Sequence, residues 1–304
     1  MNKTTLRWVE KAVILGLVIL SGWLAFQRNA LWKDASTLWS DTVAKSPLKA
    51  RPHLNLAIAF NQTGYYDKAI SEADNSVRIQ PGLAVAQIVL GNSYFKKGMI
   101  DEALIRYKEA LRMDSGLTEA HLFTGNSLME KGLVDQSIDE YKKAILLRPD
   151  FVDAYIQLGS AFASKGRTEE AMSLFKKALA LSPFNAEALN NLGVIYAGQG
   201  LLYIAAEEFR ESISSNPEFI EPRINLASTY GAMGITEKAI AELKGIIKIE
   251  PDNAAAHYNL AVAYAGSWLI DEAIREYNEV LRIQPDDAGA KENLMKLRTV
   301  ITRH

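Results

Sequence analysis

The stretch AEALNNLGVIYAGQGLLYIAAEEFRESISSNP, residues 186–217, reads as two helices joined at Gly200 and closed by Pro217. Its landmarks recur along the whole chain. Pro47, Pro81, Pro149, Pro183, Pro217, Pro251 and Pro285 stand on one ladder with a step of 34, and Ser115 takes the missing rung. Gly64, Gly98, Gly132, Gly166, Gly200 and Gly234 form a second ladder with the same step. A third runs through Ala69, Ala103, Ser137, Ala171, Ala205, Ala239 and Ala273. Three ladders with one period define a repeat array.

The physical logic of one unit follows from these residues. Between each glycine and the next proline the apolar positions keep helical spacing, as in EALIRYKEALRMD, residues 102–114. Glycine accepts the tight turn between the two helices. The small residue at 103, 171 or 205 lets helices approach closely, and the aromatic four later (Tyr107, Tyr141, Phe175, Phe209, Tyr277) fills space between repeats. Proline opens the next unit, where a missing N–H costs little.

With these ladders the chain resembles the tetratricopeptide-repeat family over residues 50–285, as seven repeats starting near 50, 84, 118, 152, 186, 220 and 254. Leu-Gly or Leu-Ala pairs recur at 56–57, 90–91, 158–159, 192–193, 226–227 and 260–261, each with Phe or Tyr four after the leucine. Repeat three departs from this with Thr124 and Leu128, and the last repeat carries Trp268 where the others have glycine. The resemblance implies an all-α, right-handed superhelical solenoid. Residues 32–49 are expected to form an N-capping half repeat, with Trp39 at the aromatic position, and residues 286–304 a C-terminal capping helix with Leu294, Leu297 and Ile301 facing inward. A solenoid needs such ends because a bare repeat exposes its stacking face.

The other long apolar feature is AVILGLVILSGWLAFQRN, residues 12–29. The uncharged part, Ala12–Phe26, spans roughly 22 Å as a helix, short of the ~30 Å hydrocarbon core. Extension from Trp8 to Leu31 supplies the length if Lys11 and Arg28 snorkel, and Trp8, Trp23 and Trp32 suit interfacial belts. Glu10 argues mildly against it. Three readings compete: an uncleaved signal-anchor helix at 12–31, a cleaved signal peptide, and a buried repeat helix. Leu20-Ser21-Gly22 is a poor cleavage site, and the run is apolar all round, so the anchor is the expectation. Lys3, Arg7 and Lys11 then hold residues 1–11 in the cytoplasm and place the repeats on the extracytoplasmic side, periplasmic or luminal. Residues 27–60 also resemble the junction into the C-terminal repeats of membrane O-mannosyltransferase-type proteins, through Arg28, Asn29, Trp32, Leu38, Trp39, Pro47 and Arg51. The multi-helix catalytic region of that family has no counterpart here, so the resemblance supports an anchor and no transferase activity.

Composition narrows function. Net charge is −2 with 23% charged residues, which gives no basic field for nucleic acid. The absence of cysteine excludes disulfides, thiolate metal sites, cysteine nucleophiles and a lipid-attachment cysteine. No nucleophile–base pair, phosphate loop or paired carboxylates appear, so no catalytic residue, metal or cofactor is expected, and the chain reads as a non-enzyme. His53, His121 and His257 share one repeat position, in separate repeats, and read as packing residues. Glu119, Asp153, Glu187 and Glu221 share another, in the first turn of a helix, where a carboxylate complements the dipole; a negative stripe for a basic partner is the alternative.

The candidate binding residues are asparagines. Asn191, Asn225 and Asn259 occupy position six of consecutive repeats, with Asn190 beside the first, and Asn92 and Asn126 occupy position nine. The family resemblance points both positions into the concave groove. An amide can pair with a peptide's C=O and N–H together, so the groove of repeats five to seven is expected to hold extended segments. The N-terminal groove is expected to be more apolar, through Leu54, Ile58, Ile88 and Leu122. The basic clamp with which some such domains grip a C-terminal carboxylate is missing, since Leu54, Ile88 and Ile156 stand at its lysine position. Trp268, Leu269 and Ile270 are expected to form an exposed apolar patch for docking or self-association. The overall expectation is a membrane-anchored interaction scaffold for protein or peptide partners. The alternatives are a subunit of a self-assembling filament and the accessory repeat domain of a membrane glycosyltransferase system.

Overall fold

The computed structural model describes residues 34–301, with side chains to 299. The apolar run 12–31, with Trp8, Trp23 and Trp32, lies outside the described residues, as does the side chain of Ile301. Among the described residues there are sixteen helices and no strand. None of these helices is long and apolar enough to cross a membrane.

The chain divides into two compact units, Met1–Pro149 and Asp150–His304. In the first, α1 is Ala35–Lys45, followed by three hairpins: α2 Ala50–Gln62 with α3 Tyr66–Ile79, α4 Ala84–Lys96 with α5 Ile100–Met113, and α6 Thr118–Glu130 with α7 Val134–Leu147. In the second, the hairpins are α8 Val152–Ser164 with α9 Thr168–Leu181, α10 Ala186–Gly198 with α11 Leu202–Ser215, α12 Glu221–Ala232 with α13 Thr236–Ile249, and α14 Ala254–Gly266 with α15 Ile270–Ile283. Helix α16, Ala288–Ile301, closes that unit, and Leu294 and Leu297 pack against the α14–α15 core. Within each unit every helix packs on the next. First helices of successive repeats also touch, α2 on α4 and α10 on α12.

The turn inside each hairpin explains the glycine ladder. In repeat five the Gly200 amide donates to Ala197 O and the Leu201 amide to Tyr196 O, the crossed pair that closes a helix through a left-handed residue. Gly200 has φ of 77°, a region that costs a side chain energy. Trp268 adopts the same conformation at φ 61° and makes the same two bonds, so the last repeat keeps its turn with a tryptophan in the glycine slot. Its side chain is 80% exposed.

The prolines act differently from the sequence expectation. Pro81, Pro217 and Pro251 stand directly after the C-caps Gln80, Asn216 and Glu250. They end the second helix of one repeat rather than begin the first of the next, since a proline cannot extend the helix. The aromatic ladder also has a second role. Tyr107, Tyr141, Phe175 and Phe209 lie over Gly91, Gly125, Gly159 and Gly193 of their own repeats, where an added Cβ would fall 2.4–2.6 Å from the ring. Tyr107 also stacks at 5.8 Å on Phe123 of the following repeat. One ring therefore joins both helices of its hairpin and the next hairpin.

Candidate functional site

Helix-start carboxylates, buried histidines and groove asparagines build the candidate sites, and each unit has its own. In the first unit a groove of about 570 Å³ opens on the faces of α2, α4 and α6. Ile58, Val89, Phe95 and Phe123 supply its apolar wall, and Asn61, Asn92 and Asn126 its amides. Ile58 is the one member of the expected apolar set to line it. Leu54, Ile88 and Leu122 are core residues instead, because position five turns inward to pack between helices. The carbonyl oxygens of Asn92 and Asn126 already accept the Tyr107 and Tyr141 hydroxyls at 2.7 and 2.9 Å. Burial pushes both phenols far above their usual range, so both remain donors.

In the second unit a groove of about 750 Å³ gathers Ser160 of α8, Glu187, Asn190 and Asn191 of α10, and Glu221 of α12, with Phe184 and Phe219 from the loops before them. Asn190 is 1% exposed and accepts the Asn225 amide at 2.9 Å. It therefore fixes Asn225 rather than presenting a full amide to solvent. Asn191 donates weakly to the Ser160 hydroxyl at 3.5 Å, and Asn259 to Ala255 O at 3.0 Å. Each position-six asparagine thus uses an amide proton internally, and its carbonyl oxygen has no partner among the described residues. Asn259 lines other surface depressions, beside Tyr258 and Gly289 and beside Ala227 and Val262, so the three are not gathered into one cavity.

The acidic row splits. Glu119 pairs with Arg148 at 2.9 Å in the first unit. Glu187 accepts from Gln157 at 3.0 Å. Desolvation by the groove walls raises its pKa, and the neighbouring Asp153 and Glu221 raise it further.

The histidines are structural, and each meets a glutamate, which their spacing alone did not show. In repeat three, His121 Nδ1 lies 2.6 Å from Glu140 Oε2, and Nε2 lies 3.2 Å from Ser115 O. His53 meets Glu72 and Pro47 O, and His257 meets Glu276 and Pro251 O, in the same arrangement. A carbonyl only accepts, so Nε2 is the donor to it, and Nδ1 faces the carboxylate. The available signal was a glutamate 19 residues after each of these histidines.

At the last hairpin Trp268 and Leu269 are exposed and Ile270 is half-buried.

The tetratricopeptide-repeat descriptions match residues 23–84, 186–219 and 232–295, and the TPR repeat description matches 125–166 and 159–200. The chain belongs to the tetratricopeptide-repeat family, whose helical arrays serve as protein–protein interaction scaffolds. These matches concern the repeats and do not bear on the transferase-like junction. Among solved structures, a chain of the APC/C hetero-tetramer Cut9-Hcn1 is 20% identical with a TM-score of 0.73, over 86% of this chain and 52% of that one. A tetratricopeptide repeat protein from Parabacteroides merdae ATCC 43184 is 18% identical at 0.64, over 82% and 98%. Yeast Tom70 is 19% identical at 0.62, over 87% and 57%. The chain thus spans about half the length of the Cut9-Hcn1 chain, and these likenesses concern the fold. No curated sequence matches the chain.

Proposed function

We propose that the chain is a membrane-anchored scaffold that holds an extended segment of a partner protein against the first-helix face of repeats five to seven. The anchor is residues 12–31, with the repeats on the extracytoplasmic side; the apolar run with upstream Lys3, Arg7 and Lys11 supports it. The observation that carries the binding role is the row Asn191, Asn225 and Asn259, each with an amide oxygen free to accept a peptide N–H. The proposal assigns no catalytic step, metal or cofactor. Replacing all three asparagines with alanine is the test. Each net hydrogen bond contributes about 0.5–1.5 kcal/mol, so a folded triple variant should bind a captured partner roughly 2–4 kcal/mol more weakly. Wild-type affinity in that variant overturns the reading.

A second reading is self-association through the turn of the last repeat. The exposed, left-handed Trp268 supports it, because strain and an exposed indole together bring the fold no packing.

A further inference from the structure

The groove of the second unit has a sign. Of the four first-turn carboxylates, Glu119 has Arg148. Asp153, Glu187 and Glu221 have no basic partner among the described residues, although they stand close enough to raise Glu187 together with desolvation. A helix N-terminus favours one carboxylate at a time. Asp153, Glu187 and Glu221 each stand at their own helix start, but the dipole does not explain why Glu187 and Glu221 line one groove that includes no lysine or arginine.

Two further features point to what fits there. Phe184 stands 79% exposed at the rim, beside the two groove carboxylates in the lining. An aromatic face next to carboxylates suits an organic cation and its apolar stem. Asn190, on the floor, is buried, and its amide nitrogen has no acceptor among the described residues. That nitrogen suits a backbone carbonyl.

We infer that this groove takes a lysine or arginine side chain of an extended partner segment. Glu187 and Glu221 pair with its cation, Phe184 covers its stem, and the Asn190 amide donates to the adjoining backbone carbonyl. The inference rests on the peptide-holding reading above and adds the chemical class of the partner. A raised Glu187 protonates earlier in acid than an ordinary glutamate, so the site should lose affinity as pH falls into the upper carboxylate range.

The experiment uses the full-length chain and three short fluorescent peptides of equal length: alternating lysine and alanine, alternating asparagine and alanine, and alternating glutamate and alanine. Fluorescence anisotropy should show saturable binding of the lysine peptide, weakened by salt and by acid, and none of the glutamate peptide. The double variant Glu187→Gln/Glu221→Gln, with unchanged circular dichroism, should bind the lysine peptide about tenfold more weakly. Phe184→Ser touches only an exposed ring and should weaken it too, which keeps the test open if the double variant misfolds. Equal binding of the lysine and asparagine peptides overturns the basic class and leaves the peptide-holding reading standing. An unchanged affinity in both variants also overturns the assignment. Failure of all three peptides to bind overturns both readings.

Discussion

A Cβ placed on Gly193 would lie 2.6 Å from Cε1 of Phe209, so the glycine and the ring occupy one shared volume in repeat five. Gly193→Ala must displace the ring or part the helices, and such overpacking costs about 1–3 kcal/mol. Phe209→Leu in the same chain should recover part of that loss, a non-additive pair. Urea denaturation of the two single variants and the double variant measures it. Because repeats contact only neighbours, hydrogen exchange should rise within repeats four to six and stay at wild-type level in α2 and α3. Additive losses would mean that the two residues do not share the space.

The histidine–glutamate pairs make a prediction about acid. Burial pushes the Glu140 carboxyl up, but the bonds to Lys143 and His121 outweigh it and hold the group below its usual range. A depressed folded-state pKa contributes stability above the unfolded value, and that stability is lost as pH falls through the folded one. Glu140→Gln should therefore cost about 1–3 kcal/mol near neutrality, and its deficit should shrink steadily toward acid. A deficit of constant size at all pH values would show that packing, not charge, holds repeat three.

Trp268→Gly restores the residue that the other turns use. The left-handed conformation costs a non-glycine residue about 1–2 kcal/mol, and glycine relieves it. Thermal unfolding of the variant should shift upward. If the exposed indole joins copies of the chain, sedimentation velocity should show self-association lost in the same variant. A higher melting temperature with unchanged association would assign Trp268 no role in assembly.

Location is tested on membranes. With residues 12–31 as an uncleaved anchor, the chain should stay in the pellet after a carbonate wash. Protease added outside intact spheroplasts should digest the repeats. Release by carbonate removes the anchor, and protection until the membrane is lysed reverses the topology.

The periodic parts of this protein were legible along the chain because they are local. A hairpin of two helices closes within one 34-residue unit, and its glycine turn, small crossing residue and aromatic all fall at fixed offsets. The helices and their order follow from that periodicity, and even the pairing of Gly91 with Tyr107 and Gly193 with Phe209 repeats at a separation of sixteen. Tertiary structure alone decided what each polar residue does at its offset. Asn190 and Asn191 are neighbours of identical chemistry on one groove, yet the first is buried and bonded to Asn225 while the second is half-buried and reaches Ser160, because a helix turns 100° per residue. Glu119 and Glu187 hold the same repeat position, but Arg148 neutralises the first while the second faces an acidic groove. His121 meets Glu140 only because the second helix folds back over the first. Such outcomes depend on distances of a few ångströms between helices, and residue spacing along a chain does not contain them.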